Sequence, residues 1–279
     1  MKNKLLLLFF LLGVFFPLSA QESEVLISTS HTSLLLSTSQ GGELKFLYYG
    51  RKLTDADVHA IVSTESGSFS AYPVYGLNCP SESALSVQHE DGNMTLQMEV
   101  IGVETTHQEK ANLTVISLKD KVYPFYVKLC YKAYQDVDVI EAWTEISHKE
   151  KKNVKLNQFA SAYLPVRKGN VWLSSLYGAW ANEARLVQEP LEPGMKVIKN
   201  KDGVRNSHTA HAEVMFSLDG QPRENSGRVI GAALCYGGNY KLRIDTDESE
   251  YHHFYAGINE DNSVYHLKSG EVFKTPELA

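Results

Sequence analysis

The sequence predicts an all-β protein, a large antiparallel β-sandwich (a supersandwich) of many short strands with at most one or two short helices. Three observations predict it. Apolar residues recur mostly at period two, the spacing that gathers them on one face of a strand. Glycine, asparagine and serine interrupt these runs at short intervals, where turns need them. Fifteen tyrosines and eleven phenylalanines supply the bulky apolar area that stacked sheets bury.

The elements follow in chain order. Residues 24–28 and 34–37 are short apolar runs bounded by serine and threonine. Gly41-Gly42 separates the second run from residues 44–49, which reads as two strands joined by a glycine turn. Residues 54–62 alone read as a helix. Thr54 caps it, Asp55 and Asp57 suit the positive end of its dipole, and Val58 and Ile61 share a face. Further strands are predicted at 84–89, 94–100, 113–118, 125–131, 139–146 and 154–160, with Asp91-Gly92-Asn93 as a tight turn between the first two. The second half continues with 171–176, 213–218, 229–235, 240–244, 252–258 and 264–267. One helix is far too few for a (β/α)₈ barrel, which alternates strand and helix eight times.

At the start of the chain, Lys2 and Lys4 precede an apolar run over residues 5–16 and the exit Pro17-Leu18-Ser19-Ala20. That is the pattern of a signal peptide over residues 1–20, and the run is shorter than the roughly 20 residues a membrane span needs. The expectation is a secreted or periplasmic protein without a membrane span. Residues 21–275 are expected to form the sandwich domain. Residues 276–279, after Phe273 and Thr275-Pro276, are expected to begin a linker.

The formal net charge of −6, spread along the chain, excludes the clustered basic surface that nucleic acid requires. Cys79, Cys130 and Cys235 match no metal spacing; they allow one internal disulfide at most, or three separately buried thiols. Ser207-His208 does not make a nucleophile–base couple, because neighbours in a strand point to opposite faces. Neither G-x-S-x-G nor a glycine-rich phosphate loop occurs. Asp245, Asp247, Glu248 and Glu250 precede His252-His253, but they lack the fixed offsets and bend glycine of a calcium loop and read as a solvated turn. No catalytic residue, metal or cofactor is therefore assigned. The most distinctive segment is Leu176-Tyr177-Gly178-Ala179-Trp180-Ala181-Asn182-Glu183. An aromatic face with a nearby carboxylate suits a sugar-contacting ledge, and it equally suits a tryptophan packed at a domain boundary.

From this segment onward the chain resembles the N-terminal domain of the family 36 glycoside hydrolases, the melibiase-like α-galactosidases. The resemblance runs through residues 177–183, Leu191-Glu192-Pro193-Gly194, Ser207-His208, residues 229–234, Gly238-Asn239-Tyr240-Lys241, Ala256-Gly257-Ile258-Asn259 and residues 270–277. Upstream, Tyr72-Pro73-Val74-Tyr75-Gly76, Ala84-Leu85-Ser86-Val87 and residues 139–143 align more loosely. The resemblance implies a β-sandwich that precedes a (β/α)₈ barrel. Two barrel aspartates, which would lie beyond Ala279, release terminal α-galactose with retention from carboxyl groups about 5–5.5 Å apart. It further implies an α-galactoside-like carbohydrate as ligand, homo-oligomeric assembly, and Trp180, Glu183 and His208 as contacts to substrate or barrel. Two departures point to a divergent branch acting on galactose or a related α-linked sugar. Where the family carries Asp-aromatic-Arg between Gly76 and Ala84, this chain reads Cys79-Pro80-Ser81, which lacks the carboxylate and guanidinium that hold hydroxyls. Where the family continues to Asn-Pro-Phe after Ser207-His208, this chain has His211-Ala212-Glu213. The alternative expectation is a stand-alone carbohydrate-binding or scaffolding protein left after loss of the barrel.

Overall fold

The computed structural model describes residues 23–64, 69–76 and 82–279. The expected signal peptide and the Cys79-Pro80-Ser81 stretch lie outside the described residues. Nineteen strands and one helix occupy the rest, all strands pairing antiparallel in four sheets.

The first sheet is built from consecutive strands β1 (Ser23–Ser28), β2 (Thr32–Thr38), β3 (Leu44–Arg51) and β4 (Phe69–Ser70). The predicted glycine turn joins β2 to β3 in the register Thr38 with Leu44. Helix α1 spans Asp55–Ser63 behind a capping box in which Thr54 and Asp57 each satisfy the other's backbone N–H. A meander follows: β6 (Met98–His107), β7 (Ala111–Asp120), β8 (Phe125–Tyr134) and β9 (Ile140–His148), with β19 (Val272–Lys274) returning to its edge.

The central sheet holds β13 (Gly194–Lys199), β16 (Tyr240–Thr246), β17 (Tyr251–Ile258) and the 15-residue β10 (Val154–Lys168). The first part of β10 pairs β5 (Leu85–Gln88) and β18 (Tyr265–Leu267), and the rest pairs β17. The last sheet has the order β12 (Asn182–Pro190), β11 (Trp172–Ala179), β14 (Ala210–Ser217), β15 (Val229–Ala233).

Two cores result. The first gathers Val25, Leu36, Leu85, Leu129, Ile146 and Leu156 between the first sheet, the meander and the start of β10. The second gathers Leu173, Phe216, Tyr240, Leu242, Ile244 and Phe254 between the central and last sheets. In β17 the period-two alternation sends Phe254 and Ala256 to the second core and Tyr255 to the first. That strand has no solvent face through its middle.

The C-terminal residues close the seam between the layers. Leu278 exchanges backbone hydrogen bonds with Ala142 of β9, and Ala279 does so with Ala233 of β15. Thr275, also buried, donates and accepts at Thr144: its hydroxyl takes the Thr144 N–H at 2.9 Å.

Several predicted elements differ in the structure. Asp91-Gly92-Asn93 does form a tight turn, closed by the His89 N–H on the Asn93 carbonyl, but its flanks do not pair with each other. β5 joins β10, which buries Leu85 and Val87 in the first core, and β6 joins β7 with Met98 and Val100 packed against that core while Ile101 and Val103 stay exposed. The strand predicted to end at residue 160 continues to Lys168, with three register shifts along its length, and β12 and β13 have no predicted counterpart.

Thr275→Val removes the hydroxyl that satisfies the buried Thr144 N–H and should lower unfolding free energy by about 1–3 kcal/mol. Urea unfolding of the variant checks this; an unchanged midpoint would show that the seam contributes nothing there.

Candidate functional site

β11 and β12 form a hairpin whose turn is Trp180-Ala181. Ala181 takes φ 61°, the left-handed conformation that short hairpin turns demand. The strands close so tightly beneath the turn that a Cβ on Gly178 would lie 2.5 Å from Glu183 Cα and 2.7 Å from the Asn182 carbonyl oxygen. Only glycine fits there. Glu183 closes the turn itself, its carboxylate accepting the Ala181 N–H at 3.0 Å.

This geometry places the sequence-predicted residues. Trp180 stands at the hairpin tip, 85 % exposed. His208 is exposed in the loop before β14, and that loop lies against the same hairpin: the Gly178 N–H donates to the Thr209 carbonyl at 3.0 Å. Trp180, Glu183 and His208 therefore collect at one end of the last sheet. Beneath them Tyr177 packs on the second core with the Lys196 ammonium 5.8 Å from its ring, and burial pushes its phenol pKa up.

β12 is an edge strand exposed along almost its whole length, with Leu186 and Val187 uncovered on opposite faces. β12, exposed on both faces, and Trp180 at its turn make an open apolar surface rather than an enclosed cavity.

The acidic run before His252 organises a turn. Asp247 accepts the Ser249 and Tyr251 N–H groups and pairs with His253 at 3.3 Å, and its carboxyl sits below the usual range because these hydrogen bonds outweigh its desolvation. Among the described residues no group of three or more His, Cys, Asp or Glu side chains is placed to hold a metal. Cys130 and Cys235 are free thiols, Cys130 buried and pushed up to about 12 by that burial; Cys79 lies outside the described residues.

One constellation gave no signal in the sequence, because its members are far apart along the chain. Lys241 on β16 pairs with Glu260 at 2.6 Å and Asp261 at 3.0 Å, and Lys199 on β13 reaches Asp261 at 2.5 Å. Lys199, and then Lys241, hold the Asp261 carboxyl down at about 2.

The architecture is a β-sandwich with an exposed hairpin at the edge of its last sheet. The chain matches the glycosyl hydrolase family 36 N-terminal domain over residues 42–268, and so belongs to that family. It is 30 % identical over 174 residues to alpha-galactosidase Mel36A of Lactobacillus acidophilus, covering 62 % of this chain and 24 % of that protein. It is 24 % identical over 285 residues to the bifunctional alpha-galactosidase/sucrose kinase AgaSK of Mediterraneibacter gnavus, covering 90 % and 30 %. Its fold superimposes with a TM-score of 0.85 on an AgaA alpha-galactosidase variant of Geobacillus stearothermophilus solved with 1-deoxygalactonojirimycin, at 22 % identity, covering 92 % of this chain and 40 % of that one. The chain thus spans about a quarter to a third of these curated relatives.

Gly178→Ala should destabilise the chain by about 1–3 kcal/mol, since the added methyl meets backbone that cannot retreat without opening the hairpin. A thermal melt with an unshifted midpoint would contradict that reading. Asp261 supplies a pH prediction. Its folded pKa is depressed, so its pairing stabilises the fold above about pH 4 and is lost as pH falls toward about 2. Stability should therefore fall more steeply across that interval in the wild type than in Asp261→Asn. Parallel urea midpoints would contradict the assignment.

Proposed function

We propose that this chain is the N-terminal β-sandwich module of a secreted α-galactosidase-like glycosidase and is not catalytic alone. It supports a (β/α)₈ barrel, contributes to assembly, and completes the rim of the active site that the barrel provides. The observation that carries the reading is the family match on a chain spanning only a fraction of its relatives. The β11–β12 hairpin supports it, because β12 leaves apolar side chains uncovered on both faces, as a strand does that another domain covers.

In this reading, hydrolysis of a terminal α-linked galactose, or a related sugar, belongs to two barrel aspartates beyond Ala279. The sandwich contributes position. Trp180 offers its indole face to pyranose C–H groups or to the barrel surface, while Glu183 holds the turn that presents it. His208 supplies an imidazole from the neighbouring loop as a hydroxyl partner.

The test is the DNA that follows the Ala279 codon, joined to this chain and expressed. The expected outcome is release of p-nitrophenol from an aryl α-galactoside by the joined protein and none by the chain alone. Turnover by the chain alone would overturn the reading, as would the lack of any in-frame β/α region downstream.

A further inference from the structure

A chamber with about 620 Å³ of open space lies where the two cores meet. β2 and β3 supply one side of it, β10 and β17 another, and β8, β9 and β15 the remainder. Leu34, Leu36 and Tyr163 belong to the first core, while Ala232, Phe254 and Leu278 belong to the second. Its size falls in the range of small-molecule sites, roughly 300–1,000 Å³. A dry apolar cavity of about 150 Å³ already admits benzene.

No charged side chain lines this chamber, but five aromatic rings do: Phe46, Tyr49, Tyr131, Tyr163 and Phe254. Aromatic rings favour edge-to-face and offset contacts with another ring. The Tyr163 hydroxyl is already engaged with His253 Nδ1 at 2.8 Å. The hydroxyls of Tyr49 and Tyr131 have no hydrogen-bond partner among the described residues, and packing seals neither of them off. Burial pushes both phenols above their ordinary range, with Asp138 adding to the effect at Tyr49 and Cys130 at Tyr131. Both therefore remain protonated hydrogen-bond donors well beyond neutral pH. A large apolar pocket with a few convergent polar groups of shifted pKa is where a ligand is first to be sought.

The lining decides the class of ligand. An ion would leave water for walls that offer no counter-charge, and a saccharide would leave most of its hydroxyls unpaired against leucine, isoleucine and phenylalanine. A single ring with one acceptor oxygen loses little hydration. It gains aromatic contact and a hydrogen bond from a free phenol.

We infer that the chamber binds a small uncharged molecule of one ring that carries one hydrogen-bond-accepting oxygen. The ring packs among the aromatic side chains, and the free phenols of Tyr49 and Tyr131 donate to the oxygen. No residue of the Trp180 hairpin lines the chamber, so this site stands or falls separately from the proposed function.

The test is an NMR titration of the full chain, read at methyl groups and amides, with acetophenone as probe and with toluene and benzoate beside it. Acetophenone should give saturable shifts at Leu34, Leu36, Leu164 and Ile230, with a Kd of about 1 mM or tighter. Benzoate, which has the ring but carries a charge, should give none. The double variant Tyr49→Phe/Tyr131→Phe keeps the rings and removes the donors. It should weaken acetophenone about fivefold and leave toluene unchanged. Ala162→Leu adds bulk inside the chamber and should abolish binding of both; if it does not fold, the double variant decides alone. Absence of saturable shifts at those four residues with acetophenone would overturn the inference. So would benzoate binding as tightly as acetophenone, or an acetophenone affinity that is the same with and without the two hydroxyls.

Discussion

The fold depends on the two-sided burial of its central strands. Through Phe254, Tyr255 and Ala256, β17 faces hydrophobic side chains above and below, and β10 does the same with Tyr163 toward the first core and Val166 toward the second. Both outer layers are thereby referenced to one backbone. Burying a single large apolar side chain contributes about 1.5–3 kcal/mol, so a strand used by two cores couples them energetically. The same position makes every polar group costly to leave unpaired. His252 is held between the Thr246 hydroxyl and the Gly169 carbonyl, and His253 between the Tyr163 hydroxyl and Asp247. Desolvation pushes the His252 pKa down and favours the neutral ring.

That arrangement explains how one edge of the molecule is left outside both cores. Phe216 and Phe254 meet edge to face at 5.1 Å, fixing the last sheet on the central one. Leu278 and Ala279 then tie its β15 side to the meander through backbone hydrogen bonds. Anchored there, the sheet leaves its opposite strand, β12, outside both cores. Gly178 and Glu183 shape the Trp180 turn locally.

Much of this was legible in the sequence, and the exceptions have physical causes. The period-two runs and the Thr54 cap revealed the all-β class and its single described helix, since both signals are local. Trp180, Glu183 and His208 stood out by residue type, and pairing of β11 with β14 brought them to one end. β12 escaped notice because a strand exposed on both faces is under no pressure to alternate. The far half of β10 was lost because bulges at Leu156/Gln158 and Ala160/Ala162 shift its alternation. The pairing of β5 with β10 and the Lys199–Asp261–Lys241 network join residues more than sixty positions apart or drawn from three elements, and no window of sequence carries such contacts.

The coupling of the two cores through β17 is tested most directly by native-state hydrogen exchange on Phe254→Ala. The substitution opens the second core only. If the shared strand joins the layers, the slowest amides of β7 and β8 in the first core should lose protection together with those of β14 and β16, by the same free energy. Protection in β7 and β8 that stays at its wild-type level while β14 and β16 exchange freely would contradict the account.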